Sequence, residues 1–220
     1  MLRSAVASIL LVALASAGCA GGGASPAQQG GASAPMGRPL SGLAAQRIIV
    51  APVAVVASGD SLGWAAGIPR QREWLRQLDQ EIATELGARG LEGAWVFPEA
   101  LARGFQRNPT LSPDPYRLAV DPLRNVTRPS PELRAPDPLA SQLRTLVAVH
   151  DGRFVLLPVQ VGFEPAGAAG GRGVLRLLLV DARTTEVRWA GDVRSDVFPT
   201  FEPGVAVSLA ARLADLIAAR

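Results

Sequence analysis

The chain has 220 residues, is 48% hydrophobic, and carries 22 basic against 19 acidic residues for a formal charge of +3. That length suits one domain with a tether. Every basic residue is arginine, which excludes a Schiff-base lysine, a Walker-type phosphate lysine and a Ser-Lys pair. A single histidine and a single cysteine leave too few ligands for a His-based zinc site, and nothing in the sequence points to a cofactor. The arginines are interspersed with acids, with no basic stripe interleaved with aromatics, so no nucleic-acid partner is expected.

Arg3 and the apolar run Ala5 to Ala15 form the n- and h-regions of a secretion signal. The run is shorter than the roughly 20 residues a membrane span needs. It ends in Ser16-Ala17-Gly18-Cys19, which places the lone cysteine where it can carry lipid. An ordinary signal peptide cut near Ala17 or Ala20, with a free cysteine left over, is the other reading. Residues 20 to about 45 are Gly, Ala, Ser, Pro and Gln with almost no charge, the composition of a flexible tether. Roughly 25 such residues reach about 25–30 Å as a random coil.

Arg47 to Val56 reads as a buried strand, with Pro52 marking an edge or bulge. Ser58 to Gly67 is a loop. Pro69 suits the first turn of a helix that runs to about Ala88, with Leu75, Leu78, Ile82 and Leu86 on one face beside Trp74. Arg70, Glu73, Arg76, Gln77, Asp79 and Glu85 fall mostly on the opposite, solvated face. Trp95-Val96-Phe97 is a short second strand, and Pro98 to Gln106 a short helix. Residues 107–138 hold eight of the 18 prolines, three of them in Asp-Pro pairs, and read as a long irregular insertion. Leu139 to Val149 is a helix. Phe154–Phe163, Val174–Asp181 and Glu186–Asp196 are strands, and Val205 to Ala219 is an amphipathic helix.

The expected fold is α/β (α+β): a mixed sheet of about five strands with helices packed on one face, the other face partly open. Its order is β-α-β-insertion-α-β-β-β-α. The expected organisation is a signal peptide over 1–18, a lipidated N-terminus and tether over 19–46, and one domain over 47–220 that contains the insertion 107–138.

The segment ending in Ala17-Gly18-Cys19 resembles the lipobox of bacterial lipoproteins, with Ser16 where Leu, Val or Ile is usual. The resemblance implies a mature chain that begins at a diacylglyceryl-modified, N-acylated Cys19. Ala20, rather than aspartate, implies sorting to the outer membrane, facing the periplasm. Two or three acyl chains would anchor stably where one binds marginally.

Three further places resemble a loose group of envelope domains: the curli-secretion lipoprotein, the lipoprotein activators of penicillin-binding proteins, and the N-terminal domain of the Tol-system propeller protein. They are Ile48-Ile49-Val50-Ala51-Pro52-Val53, the join Leu146 to Val161, and Leu178 to Trp189. The last is similar to their "Asp, two residues, Thr-Gly, strand with Trp" hairpin, with Thr185 in place of the glycine. The resemblance implies a non-catalytic fold used for assembly and transfers no catalytic residue.

Candidate sites are few. His150, at a helix end, reads as a cation favoured by the helix dipole. Ser58-Gly59-Asp60-Ser61 reads as turn chemistry before a site, and no Gly-x-Ser-x-Gly elbow exists. Gly167, Gly170, Gly171 and Gly173 join two strands and read as a hairpin, not a phosphate cradle. The Asn125-Val126-Thr127 sequon carries little meaning in a bacterial lipoprotein. Trp64, in a Gly-rich loop, is a candidate partner anchor. Arg107, Arg117, Arg124, Arg128 and Arg134 are candidate contacts to an acidic partner, or else the charges of a solvated loop.

The leading expectation is a lipid-anchored accessory protein, not an enzyme, that contacts another envelope protein. The alternatives are a module binding a small ligand or glycan, and a hydrolase with a carboxylate site. A flat apolar patch beside a mobile insertion favours the first, an open concave sheet with aromatics the second, and a deep pocket with convergent acids the third.

Overall fold

The computed structural model describes residues 40–218, so the expected signal peptide over 1–18, Cys19 and residues 20–39 lie outside the described residues. The first strand, β1 (Ile48–Val50), is short because Pro52 has no N–H to give to a ladder. Beyond it the chain keeps an irregular pairing with the next strand: Ala51 and Ala54 N–H donate to Leu156 and Pro158 carbonyls at 2.9 and 3.0 Å. Helix α1 (Gln71–Ala88) follows, then α2 (Pro98–Arg107), α3 (Leu139–His150), β2 (Phe154–Pro165), β3 (Gly171–Asp181), β4 (Glu186–Arg194) and α4 (Gly204–Ile217).

The fold is α+β, with a four-stranded mixed sheet in the order β1-β2-β3-β4. β1 pairs parallel with β2, while β2–β3 and β3–β4 are antiparallel. The expected strand Trp95–Phe97 contracts to one parallel bridge, Ile49 to Val96, on the far edge of β1.

Helices cover both faces of the sheet, not one. Leu156, Val161 and Phe163 of β2 and Leu175, Leu177 and Leu179 of β3 pack with α1 and α4. Val155, Leu157 and Val159 of β2 and Leu178 and Val180 of β3 pack with α3 and with Val120, Leu123 and Ala135 of the insertion. A bulge between Pro158 and Gln160 shifts the alternation of β2, so odd-numbered residues face α3 before it and α1 after it. Strands this apolar on both sides need two covers. The face expected to be open is closed by α3 and the insertion.

The insertion is ordered by its Asp-Pro pairs, which start helical turns. The Asp114 carboxylate accepts from Tyr116 N–H ahead of the turn Pro115–Arg117, and Asp121 opens the turn Asp121–Leu123. Asp137 accepts from Ser141 N–H and Oγ at the start of α3. Proline in a first turn sacrifices no helical hydrogen bond, and aspartate caps the orphan N–H groups. The folded body also begins earlier than expected. Leu40 and Leu43, read as tether, are 2% and 7% exposed because they complete the core around α1 and α4.

Candidate functional site

Pro52 sets up the site. The chain leaves the ladder there, and the next N–H, of Val53, is buried and must find an acceptor. It donates to Asp79 Oδ1 at 2.8 Å. Asp79, on α1, is 5% exposed, although the helix reading placed it on the solvated side. A signal for its burial was present: Leu75, Asp79, Ile82 and Leu86 follow i, i+4, i+7, i+11, one stripe of a helix. The residue type hid it, because an acid on such a stripe reads as surface.

Burial pushes the Asp79 carboxyl up to about 7, against the Val53 hydrogen bond and the Arg76 charge, which both pull it down. Its Oδ2 is buried with no hydrogen-bond partner among the described residues.

Asp79 borders a cleft of about 490 Å³ between α1, the segment after Pro52 and the insertion. Arg72 and Arg76 come from successive turns of α1, and Arg117 and Arg124 from the insertion. Arg124 pairs with Asp121 at 2.5 Å. Arg72, Arg76 and Arg117 have no carboxylate within salt-bridge reach among the described residues; the Arg76 guanidinium lies over the Tyr116 ring, 5.5 Å from its centroid. Arg76, Asp79 and Tyr116 also border a second cleft of about 600 Å³ toward α2.

The residues singled out in the sequence fare differently. Arg117 and Arg124 come together at this cleft; Arg128 is exposed and does not line it. Trp64 is half-buried in an aromatic cluster, with ring centroids 5.7 Å from Phe163 and 6.0 Å from Phe201. Asp60 is engaged by the backbone, its carboxylate accepting from Trp64 and Ala65 N–H at 3.0 and 2.8 Å. His150 ends α3 as expected, and burial first, then the Arg47 charge, lower its pKa, which disfavours the imidazolium form there. Among the described residues no group of three or more His, Cys, Asp or Glu is placed to hold a metal, and no helix is long and apolar enough to cross a membrane.

No protein-family model matches the chain, and no curated protein matches it. Several solved structures are similar at low identity. A PelC dodecamer from Paraburkholderia phytofirmans is 13% identical with a TM-score of 0.40, covering 80% of this chain and 91% of its own. The lipoprotein GNA1162 from Neisseria meningitidis is 16% identical with a TM-score of 0.35, covering 76% and 93%. E. coli LpoB is 14% identical with a TM-score of 0.34, covering 87% of each. At these values no function passes from them to this chain.

Proposed function

We propose that this chain is an envelope accessory protein, anchored by lipid on Cys19 at the outer membrane facing the periplasm, that works by contact with another envelope protein and not by catalysis. Two features support the reading. The lipobox-like end of the signal sets the location. The cleft between α1 and the insertion presents Arg72, Arg76 and Arg117 without carboxylates to meet them, and this is the observation that carries a contact role. Guanidinium forks displayed in this way recognise carboxylates with directional, charge-assisted hydrogen bonds.

A hydrolase is the second reading, because Asp79, Asp114 and Asp121 all border the cleft and Asp79 has the raised pKa of an acid catalyst. The hydrogen bonds weigh against it. Asp114 is engaged by Tyr116 N–H, Asp121 by Arg124, and one Asp79 oxygen by Val53 N–H. A glycan lying on a sheet face is disfavoured, because both faces are covered.

The test is a cross-linking pull-down from membranes, native protein against Cys19→Ala. One defined envelope partner, recovered with the native protein and lost with the variant, is the expected result. Equal solubility of the two forms would sink the anchor, and a membrane-bound native protein with no cross-linked partner would sink the contact role.

A further inference from the structure

We infer that the cleft between α1 and the insertion docks an acidic peptide segment of the partner protein, gripped through Arg72, Arg76 and Arg117. This rests on the contact reading and names the chemistry of what is contacted.

The charge pattern of the surface points to it. Several exposed arginines elsewhere are met by acids: Arg70 by Glu73 at 3.1 Å, Arg134 and Arg188 by Glu186 at 2.8 and 3.0 Å, and Arg172 and Arg194 by Glu164 at 2.7 and 3.1 Å; others, such as Arg144 and Arg183, stand singly without a carboxylate in reach among the described residues. What sets the cleft apart is convergence: arginines from two elements line one concavity, where Asp114 is engaged by a backbone N–H and Asp121 by Arg124. Arg72 and Arg76 sit at i and i+4 on one helix, where like charges repel, and Arg117 approaches from the insertion. The single ion pair there, Arg124 to Asp121, leaves Arg124 Nε buried without an acceptor among the described residues. Gathering cations costs free energy that an incoming anion returns.

The rest of the lining favours a peptide over a bare anion. Pro52, Leu75, Pro115 and Leu118 supply apolar wall between the charges. A peptide carries carboxylates for the arginines and aliphatic stems for the walls. Inorganic phosphate offers acceptors alone. The volume of about 490 Å³ lies within the roughly 300–1,000 Å³ of ligand sites.

The experiment uses the full chain in detergent and a fluorescein-labelled tetraglutamate peptide, read by anisotropy. Tetraglutamine and inorganic phosphate serve as competitors. Arg76→Gln with Arg117→Gln is expected to weaken tetraglutamate binding by at least about tenfold. Arg144→Gln with Arg183→Gln removes the same charge outside the cleft and is expected to leave it within about twofold. Replacing Arg72, Arg76 and Arg117 with lysine should restore part of the affinity, and melting temperatures show that each variant is folded. Equal loss in both glutamine pairs would reduce the effect to net charge. Competition by phosphate as strong as by tetraglutamate would replace the peptide with a simple anion. Absence of saturable tetraglutamate binding would overturn the inference. If the membrane partner still cross-links in that case, the contact reading survives; if it does not, both fall.

Discussion

The Val53 N–H and the Asp79 carboxylate meet at 2.8 Å, a buried bond that ties the irregular segment after Pro52 to α1. The bond has a pH signature. The Asp79 carboxyl lies near 3.8 when unfolded and about 7 when folded. Between those values the folded state holds a proton that the unfolded state has released, so the contribution of this group to stability falls as pH rises from about 4 to 7 and is constant above. A gap of about three units corresponds to on the order of 4 kcal/mol.

Asp79→Asn keeps an oxygen for Val53 N–H and removes the titration. Its melting temperature is expected to exceed that of the native protein above pH 7 and to converge with it near pH 4. Parallel thermal profiles for the two proteins would show that Asp79 is not held protonated. The native profile alone is not diagnostic, because Glu164 acts oppositely: against the burial that raises its pKa, hydrogen bonds from Arg172 and Arg194 hold it below its ordinary value, and that stability is lost as pH falls.

Thr185, in the turn between β3 and β4, has a φ of +63°. A β-branched residue in the left-handed region is strained by roughly 1–2 kcal/mol. Thr185→Gly is therefore expected to raise the melting temperature. A lower value would mean that the side chain, 5% exposed and donating from Oγ1 to the Thr184 carbonyl at 2.6 Å, contributes more than the strain removes.

At Gly173 of β3, side chains of α4 pack directly against the strand. A Cβ there would stand 2.8 Å from Val205 Cγ1 and 3.1 Å from Leu209 Cδ1. Gly173→Ala should destabilise by about 1–3 kcal/mol, measured by urea unfolding, through overpacking of that contact. An unchanged midpoint would mean that α4 shifts freely on the sheet.

Arg89, just past α1, has a side chain 4% exposed that bonds to Asp215 and to the Ala218 carbonyl, both at 2.9 Å. It fastens the end of α4 to the end of α1. Arg89→Met retains the buried stem and removes the charge, and is expected to cost about 1–3 kcal/mol. Amide exchange should rise first over the last turn of α4. Uniform acceleration across the domain would instead assign Arg89 a global packing role.

Much of the fold was legible in the chain because burial imposes period. The apolar strands β2 and β3, the stripe of Leu75, Leu78, Ile82 and Leu86, and the prolines of the insertion all report local rules that any packed chain obeys; in β4 the expected common face of Val187, Trp189 and Val193 is split by a register shift, Val187 packing on the α3 side and Trp189 and Val193 on the α4 side. Composition was equally plain: arginine without lysine, and a single cysteine in the chain. The site was not legible. Arg117 and Arg124 were visible as charges in a proline-rich stretch, but Arg76 and Asp79 were read as the solvated face of a helix and Arg72 was not singled out. What drew them together with Arg117 is the departure of the chain at Pro52 and the packing of the insertion against the sheet. The same packing closed the second face, while on the first face the core around α1 and α4 took in Leu40 and Leu43, which the sequence alone reads as tether. A periodic pattern tells a residue which way to point relative to its own element, whereas a cleft is made by elements far apart in sequence, whose approach is decided only when both faces of the sheet must be covered at once.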